Sequence, residues 1–435
     1  MPDTQNPNDG LPENAGRPPQ PRGEQGARPD TPEPAGKRRP GGARPAPPPG
    51  AKPARPPGAK PARPAGATPA RPPGAKPARP TPPPGSRLRP ATVPAGDGAP
   101  VELPVLTRKD FASDADVRWC PGCGDYAVLA AVQRTLPDLV DTKENVVFVS
   151  GIGCSSRFPY YMDTYGVHSI HGRAPAFALG LKATRPELDV WIVTGDGDAL
   201  SIGGNHLAHL LRRNLDVQLL LFNNQIYGLT KGQYSPTSEV GKVTKSSPYG
   251  SLDHPFNPAA FALGADATFV ARTLDRDAKH LTRVIGEAHG HRGTAFVEVY
   301  QNCNIFNDGA FADFTDRDTK AERSLFVEHG RPLLYDGGQR GVRLDGLRLR
   351  TFAVGADFAA GDALVYDETD KLMAHAVVEQ LFWDAALPRP FGVLYRADRP
   401  TYDRVFNEQL AAVKAQKGDG DLAALLHGGA TWTVV

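Results

Sequence analysis

Short apolar runs alternate with helical stretches through the middle of the chain. Two amphipathic helices are predicted, one at residues 201–214 with Ile202, His206, Leu207, Leu210 and Leu211 near one face, and one at residues 280–289 with Leu281, Val284, Ile285 and Ala288. The apolar runs are NVVFVSGIG from Asn145, DVWIVTGDG from Asp189, VQLLLFNN from Val217, ATFVA from Ala267 and TAFVEVY from Thr294. Runs that are apolar on both faces are typical of strands buried in a parallel sheet. The alternation predicts a doubly wound α/β domain.

Residues 1–100 lack this pattern. They hold 30 of the 44 prolines, and 16 Lys and Arg against 7 Asp and Glu give a net charge near +9, which leaves about −7 for the rest. The octapeptide PGAKPARP occurs three times between Pro49 and Pro80, with a diverged copy, AGATPARP. Proline removes backbone donors and few apolar side chains are present, so a disordered basic tail is predicted, acting as a tether. The alternative is a basic docking arm for an acidic partner or nucleic acid, but without aromatic residues no specific nucleic-acid binding is expected.

These patterns divide the chain into a tail (1–100), an α/β domain (101–304) and a C-terminal extension (305–435). The extension is rich in Arg and Asp, and it ends in a helical stretch that contains Leu410, Val413, Leu422, Leu425 and Leu426. No signal-peptide pattern and no run of about 18 apolar residues occurs, so we expect a cytoplasmic protein that does not span a membrane. In a reducing compartment, cysteines are expected to be metal ligands or reactive thiols rather than disulfides.

Polar and glycine-rich segments follow the apolar runs, at the strand ends where such sheets bind ligands. The triplet GDG at Gly195–Gly197 is followed, after 25 residues, by Asn223 and Asn224. Glycines let the backbone approach a diphosphate, while Asp196, Asn224 and a main-chain carbonyl near Ile226 offer oxygen ligands to Mg²⁺. This arrangement resembles the thiamine diphosphate signature.

All four cysteines lie in short polar or glycine-containing turns. They are Cys120 and Cys123 in WCPGCG, Cys154 in GCSS and Cys303 in QNCN. Four thiolates can hold a [4Fe-4S] cluster, and a tetrahedral zinc would use the same ligands. Spacing leaves both possibilities open, but Cys154 follows a strand next to the predicted thiamine site, where an electron acceptor is useful.

The motifs WCPGCG, GIGCSSRFP, HGRAPAFALGLK, GDGDALSIGG and NNQIYGLTKGQYSPTS together resemble the β subunit of 2-oxoacid:ferredoxin oxidoreductases, most closely the two-subunit, 2-oxoglutarate type. The resemblance covers about Val101 to the C-terminus, including a tryptophan near the end, Trp432. The proline-rich repeat lies outside the family pattern. The resemblance implies oxidative decarboxylation of a 2-oxoacid with coenzyme A to an acyl-CoA and CO₂, with electrons passing through a [4Fe-4S] cluster to ferredoxin.

The resemblance also implies roles for individual residues. Cys120, Cys123, Cys154 and Cys303 would hold the cluster, and Asp196, Asn224 and the carbonyl of Ile226 would hold Mg²⁺. The thiamine diphosphate pocket would be lined by Gly153, Cys154, Ser155, His171, Gly195, Asp196, Gly197 and Asp198. Arg157, Leu229 and Lys231 would lie beside the substrate. Ordinary alternatives are a surface charge for Arg157 and a hydrogen-bonded core histidine for His171.

The substrate and the partners are expectations of the same kind. Because a guanidinium can pair with a distal carboxylate, Arg157 favours 2-oxoglutarate, and succinyl-CoA as product, over pyruvate or a branched-chain 2-oxoacid. The glutamate that activates the cofactor would come from the pyrimidine-binding domain of an α subunit, in an α2β2 assembly. Two other hypotheses are a non-redox thiamine decarboxylase subunit with structural zinc, and an interaction protein led by the basic repeat.

Overall fold

The computed structural model describes residues 92–93, 101–102, 105–429 and 432–434, all within one compact unit, Ala78–Val435. The octapeptide repeats and the disorder predicted for residues 1–100 therefore fall outside the described residues, apart from Thr92–Val93. None of the helices in these ranges is long and apolar enough to cross a membrane.

The strands form one large sheet and two small ones. β1 pairs with β2, β10 to β12 form an antiparallel three-stranded sheet, and the large sheet has the order β4-β3-β5-β6-β8-β7-β13-β9. The bounds are β1 Thr92–Val93, β2 Val101–Glu102, β3 Val146–Ser150, β4 Tyr165–His168, β5 Asp189–Gly195, β6 Val217–Asn223, β7 Phe269–Leu274, β8 Thr294–Tyr300, β9 Ser324–Phe326, β10 Leu334–Tyr335, β11 Arg340–Asp345, β12 Arg348–Ala353 and β13 Arg389–Arg396.

The strands from β3 to β8 are mutually parallel and occupy the six positions at one end of the large sheet. Every residue of β3, β6, β7 and β8 is buried, as expected for strands whose two faces are both covered by helices. All five predicted strands are present, although the run that begins at Ala267 enters the sheet two residues later, at Phe269.

Helices cover both faces of this sheet. α1 and α6 pack on one face, whereas α2, α4, α5 and α9 pack on the other. The bounds are α1 Asp125–Leu139, α2 Ala174–Thr184, α3 Asp196–Leu200, α4 Gly204–Arg213, α5 Pro258–Gly264, α6 Ala278–Gly290, α7 Ala312–Thr315, α8 Lys320–Arg323, α9 Lys371–Trp383, α10 Tyr402–Lys417 and α11 Leu422–Leu426. The predicted doubly wound α/β fold is therefore confirmed.

The two helices predicted from their apolar faces are α4 and α6. In α6, Leu281, Val284, Ile285 and Ala288 are all buried, as the pattern predicts. In α4, Leu207, Leu210 and Leu211 are buried, but the helix begins at Gly204 and not at Ser201. Ile202 therefore lies in the preceding turn with 59% of its surface exposed, and its assignment to the buried face was wrong.

Residues 305–435 contribute to the large sheet as well as forming an extension. β13 pairs antiparallel with β7, and β9 pairs parallel with β13 at the sheet edge. The three-stranded sheet and α9 pack beside them, since Tyr335, Val342, Leu349, Val377 and Leu381 belong to the same apolar core as the helices on that face. The predicted terminal helices are α10 and α11, and Leu422, Leu425 and Leu426 are exposed.

In chain order, β4 lies on one side of β3 and β5 lies on the other. The chain thus leaves β3 in opposite directions along the sheet to form β4 and then β5. Doubly wound sheets bind ligands in the crevice that such a change of direction leaves beyond the carboxyl ends of the strands. The segments after β3, β5 and β6 meet there.

Candidate active site

One pocket lies beyond the carboxyl ends of β3, β5 and β6. Its walls come from the loops that the sequence marked as polar and glycine-rich. It is lined by Ile152, Gly153, Cys154, Ser155, His171, Gly195, Asp196, Gly197, Asp198, Phe222, Asn224, Ile226, Tyr227, Gly228, Leu229 and Thr230. All eight residues predicted to line the cofactor pocket, and the three predicted Mg²⁺ ligands, are brought together here.

Asp196 opens α3 directly after β5 and is almost completely buried. Two hydroxyl groups donate to the same carboxylate oxygen, Oδ2: Ser235 Oγ at 2.6 Å and Thr237 Oγ1 at 2.5 Å. Burial raises the pKa of Asp196 to about 6, and the two hydroxyl groups oppose this rise. A buried carboxylate with one oxygen engaged is suited to receive a divalent cation at neutral pH.

The two asparagines after β6 have different environments. Asn223 points into the protein, where its Nδ2 donates to Glu298 Oε1 at 2.8 Å and its Oδ1 lies 2.9 Å from Thr237 Oγ1. Asn224 lines the pocket, and its Nδ2 donates to Gln301 Oε1 at 2.8 Å. Of these two asparagines, only Asn224 therefore faces the pocket.

Small residues leave room in the pocket. A Cβ on Gly197 would lie 2.3 Å from Cε1 of Tyr227, whose hydroxyl donates to the Gly197 carbonyl at 3.0 Å. Gly153 has φ near +134°, a conformation that favours glycine, and no atom lies within 4 Å of the position of its absent Cβ. Gly153 thus leaves space after β3, where a diphosphate could contact the backbone closely, whereas Gly197 makes room for the ring of Tyr227.

The carboxylate of Asp198 forms hydrogen bonds to several segments of the pocket wall. Its Oδ1 accepts from the backbone amides of Ile152 at 3.1 Å and Gly172 at 2.9 Å and lies 2.9 Å from His171 Nδ1, while Oδ2 accepts from Thr194 Oγ1 at 2.7 Å. The His171 side chain is about half exposed to the pocket. The alternative of a core histidine is therefore wrong for His171, and the carboxylate of Asp198 holds the pocket walls in place.

The four cysteines come together on one side of this pocket, from three loops. Asn304 Nδ2 donates to the Pro121 carbonyl at 2.7 Å, and the Gly124 amide donates to the Asn302 carbonyl at 3.1 Å. These bonds join the two neighbours of Cys303 to the loop that carries Cys120 and Cys123. Trp119 Nε1 donates to the Cys154 carbonyl at 2.6 Å and joins the third loop.

The thiols of this group face a partly buried space. A Cβ on Gly228 would lie 3.5 Å from Sγ of Cys154 and 3.6 Å from Sγ of Cys303, so the glycine keeps the space beside both sulfurs open. Burial is the main cause of a raised pKa for both Cys123 and Cys154, and the charge of the Asp125 carboxylate adds to it. The pKa of Cys154 rises to about 12. None of the four forms a disulfide. The sulfurs of Cys154 and Cys303 thus lie beside one open space, and thiolates are the ligands that an iron-sulfur cluster requires.

Within residues 105–429 and 432–434, no three or more His, Cys, Asp or Glu side chains are gathered into a site for a single metal ion.

The three predicted substrate residues lie near the pocket but differ in placement. Leu229 lines the pocket with 40% of its surface exposed. Lys231 is exposed in the same loop at φ near +76°. Arg157 lies outside the pocket lining, and its guanidinium donates to the Arg118 carbonyl at 3.1 Å. The positive charge of Arg157 nevertheless opposes part of the rise in the pKa of Cys154, so this side chain lies near the cysteine group.

Several residues of the site were missed by sequence reasoning. Ser235 and Thr237 hold Asp196, Trp119 holds Cys154, and Gln301 contacts both Asn224 and Cys123. The quoted motifs contained Ser235, Thr237 and Trp119 but gave no reason to single them out, because hydroxyl groups are common in loops. Gln301 is the first residue of the QNCN segment that holds Cys303, and its position at a strand end was the available signal.

This fold and pocket define a thiamine diphosphate enzyme domain, and residues 151–299 match the family model "Thiamine pyrophosphate enzyme, C-terminal TPP binding domain". The chain is 55% identical over 341 residues to the 2-oxoglutarate oxidoreductase subunit KorB of Mycobacterium tuberculosis, covering 78% of this chain and 91% of that one. It is 47% identical over 196 residues to the β subunit of 2-oxoacid:ferredoxin oxidoreductase 1 of Aeropyrum pernix, covering 45% and 62%.

A solved structure gives the same result. The chain resembles a chain of the 2-oxoglutarate:ferredoxin oxidoreductase from Magnetococcus marinus, determined with 2-oxoglutarate, coenzyme A and succinyl-CoA bound, with a TM-score of 0.59 and 31% identity over 75% of this chain and 96% of that one. The protein belongs to the β subunits of the 2-oxoacid:ferredoxin oxidoreductases. It is therefore a subunit of an enzyme that works with an α subunit.

Proposed function

We propose that this chain, with its α subunit, oxidatively decarboxylates 2-oxoglutarate in the presence of coenzyme A to give succinyl-CoA and CO₂. Electrons would pass through a [4Fe-4S] cluster on Cys120, Cys123, Cys154 and Cys303 to ferredoxin. The observation that carries the proposal is that Cys154 belongs both to the cysteine group and to the lining of the thiamine pocket. An electron acceptor held there would lie next to the reacting carbon.

Two protein elements would hold the diphosphate and its ion. Asp196 and the amide oxygen of Asn224 face one pocket together with the backbone of Ile226, and these are oxygen donors of the kind that Mg²⁺ prefers. Gly195 and Gly197 would let the backbone approach the phosphates. When bound, thiamine diphosphate supplies the carbon nucleophile and the electron sink for decarboxylation.

The cysteine group would hold the cluster as thiolates. Burial raises the pKa of both Cys123 and Cys154, which favours the protonated thiols in the absence of a metal, and ligation would displace these protons. Cluster assembly at this site should therefore release protons. Trp119, which donates to the Cys154 carbonyl, fixes the ligand nearest to the thiamine pocket.

Three observations support 2-oxoglutarate as the substrate. Arg157 lies close enough to Cys154 for its charge to oppose part of the rise in the pKa of that thiol, and a guanidinium at that position is suited to a second carboxylate. The names of the relatives from Mycobacterium tuberculosis and Archaeoglobus fulgidus specify 2-oxoglutarate. The Magnetococcus marinus enzyme was determined with 2-oxoglutarate bound. Leu229 and Lys231 would complete the substrate side of the pocket, with His171 and Ser155 against the cofactor.

The site would be completed by the partner. We propose that the α subunit provides the pyrimidine-binding domain and the activating glutamate, in an α2β2 assembly, and that ferredoxin is the external electron acceptor. A cytoplasmic location is part of the same proposal.

The test is anaerobic metal and acid-labile sulfide analysis of this chain copurified with its α subunit, combined with a visible spectrum. We expect about four irons and four sulfides per chain. The absorbance should bleach on addition of 2-oxoglutarate with coenzyme A. Bleaching with pyruvate and not with 2-oxoglutarate would contradict the substrate. One zinc with no sulfide would contradict the redox function and favour the decarboxylase alternative.

A further inference from the structure

Gln301 lies between the two proposed cofactor sites. It follows the last residue of β8, and no part of its side chain is exposed to solvent. Its Nε2 lies 3.3 Å from Sγ of Cys123 and 2.6 Å from the Asn302 carbonyl, and its Oε1 lies 2.8 Å from Nδ2 of Asn224. One side chain thus contacts a proposed cluster ligand and a proposed Mg²⁺ ligand.

The hydrogen bonds fix which way both amides point. The Asn302 carbonyl can only accept, so the Gln301 amide must turn its Nε2 toward it. Oε1 then faces Asn224 and can only accept, which requires Asn224 to present its Nδ2. The Oδ1 of Asn224 is consequently turned away from Gln301, and it accepts from the Ile226 amide at 3.2 Å, so two contacts favour this orientation. A flipped Asn224 would bring two oxygens together and would offer an NH₂ group to the cation.

The second hydrogen on Gln301 Nε2 is directed to Cys123. An amide that donates to a cluster thiolate stabilises the reduced and more negative state of the cluster, and such bonds are a recognised means of setting cluster potentials. The contact lies inside the protein, where water cannot replace the donor.

We infer that Gln301 is a positioning residue that couples the two cofactor sites: it orients Asn224 toward Mg²⁺ and donates to the Cys123 thiolate of the cluster. This inference rests on the proposed function. The Gln301 amide has two parts with separate roles: its oxygen faces Asn224 and its NH₂ group faces Cys123. Loss of the oxygen should therefore change the Mg²⁺ affinity, and loss of the NH₂ group should change the cluster potential.

Two variants test the oxygen and the NH₂ group of the Gln301 amide separately. Gln301→Met removes both halves, so the cluster midpoint potential becomes more negative and Mg²⁺ binds about 10- to 100-fold more weakly, as expected for loss of a second-shell partner. Gln301→Glu keeps an oxygen for Asn224 but replaces two N–H donors with at most one O–H. The potential then becomes more negative while Mg²⁺ affinity stays near that of the wild type.

The measurements are an anaerobic redox titration followed by electron paramagnetic resonance, and Mg²⁺ titration of the metal-free complex with thiamine diphosphate present. Gln218→Met is the matched control, because Gln218 is also fully buried, in β6, and neither side-chain polar atom has a partner among the described residues. It should leave both quantities at the wild-type values.

The outcomes separate the inference from the function on which it rests. A wild-type complex without iron and sulfide contradicts the proposed function itself. With a wild-type cluster present, the inference is overturned if both Gln301 variants carry full iron and keep the wild-type potential, or if Gln301→Met binds Mg²⁺ as the wild type does. Loss of iron from Gln301→Met but not from Gln218→Met supports the contact with the cluster.

Discussion

At the scale of single residues, side chains from other segments hold Asp196 and Asn224 at the pocket. Asp196 and Asn224 were predicted from GDG and the asparagine pair, and both line the pocket. What spacing could not predict is the set of residues that hold them. The hydroxyl groups of Ser235 and Thr237 reach Asp196 from a loop 39 and 41 residues further along the chain. Their role depends on how this loop folds back, and loop paths leave no periodic signal.

Thr237 gives a prediction at this scale. Its hydroxyl bridges Asp196 Oδ2 and Asn223 Oδ1 at 2.5 and 2.9 Å. Thr237→Val keeps the shape but removes the one hydroxyl hydrogen that lies between these two buried acceptors, so the free energy of unfolding should fall by about 1–3 kcal/mol. Mg²⁺ should also bind more weakly, because Asp196 is less firmly held. Urea unfolding and Mg²⁺ titration measure the two effects.

Thr237→Ser is the matched control, since it retains the hydroxyl and loses only a methyl group. Equal behaviour of the Val and Ser variants would show that the hydroxyl bridge is not what organises Asp196.

At the scale of elements, the alternation of strand residues explains the asparagine pair. Asn223 is the last residue of β6 and turns toward Glu298 of β8, which also pairs with Arg272 of β7 at 2.7 Å. Asn224 follows outside the strand and turns into the pocket. The sequence placed strands and helices correctly where their apolar faces were continuous, as in α6. It misplaced the start of α4, because Gly203 lies between Ile202 and the helix, which begins at Gly204.

Helix α6 carries a pH-dependent contribution to stability. His280 is buried against β7, where its Nδ1 lies 2.8 Å from Thr273 Oγ1, and its ring makes an edge contact with Phe326. Burial, followed by the charge of Arg283, lowers the pKa of His280 to about 4. A lowered histidine pKa favours the neutral form in the folded state. Its contribution is therefore complete above about pH 6.5 and is lost as the pH falls toward 4.

The expected result is that the free energy of unfolding decreases between pH 7.5 and 5.5 by about 1 kcal/mol more in the wild type than in His280→Leu. Urea unfolding of both proteins at the two pH values gives the comparison. Parallel pH profiles would mean that His280 does not titrate with a lowered pKa in the folded protein.

At the scale of the whole molecule, the sequence predicted the doubly wound core but not how far the C-terminal segment enters it. β9 has three residues, and β13 carries Pro390, a bulge between Val393 and Tyr395, and Gly392 at φ near +122°. A Cβ on Gly392 would lie 2.6 Å from the Val327 carbonyl, so glycine is required where the two strands meet. Such interruptions break the apolar pattern by which a strand is predicted. β13 is nevertheless stabilised by pairing with β7 and β9, which are distant in sequence.

The basic tail and the acidic remainder of the chain lead to the last prediction. Residues 1–100 carry about +9 and the remainder about −7, yet the tail offers few apolar side chains and no aromatic residue to form a defined contact. We therefore expect that deletion of residues 1–100 leaves the rate of ferredoxin reduction and its dependence on salt unchanged, as for a tether. Stopped-flow reduction of ferredoxin by the complex, at several salt concentrations, makes the comparison.

A docking arm would instead accelerate the association of an acidic ferredoxin at low salt, because attraction between opposite charges is screened as the salt concentration rises. Slower reduction by the truncated complex, confined to low salt, would assign the tail to the capture of the electron acceptor.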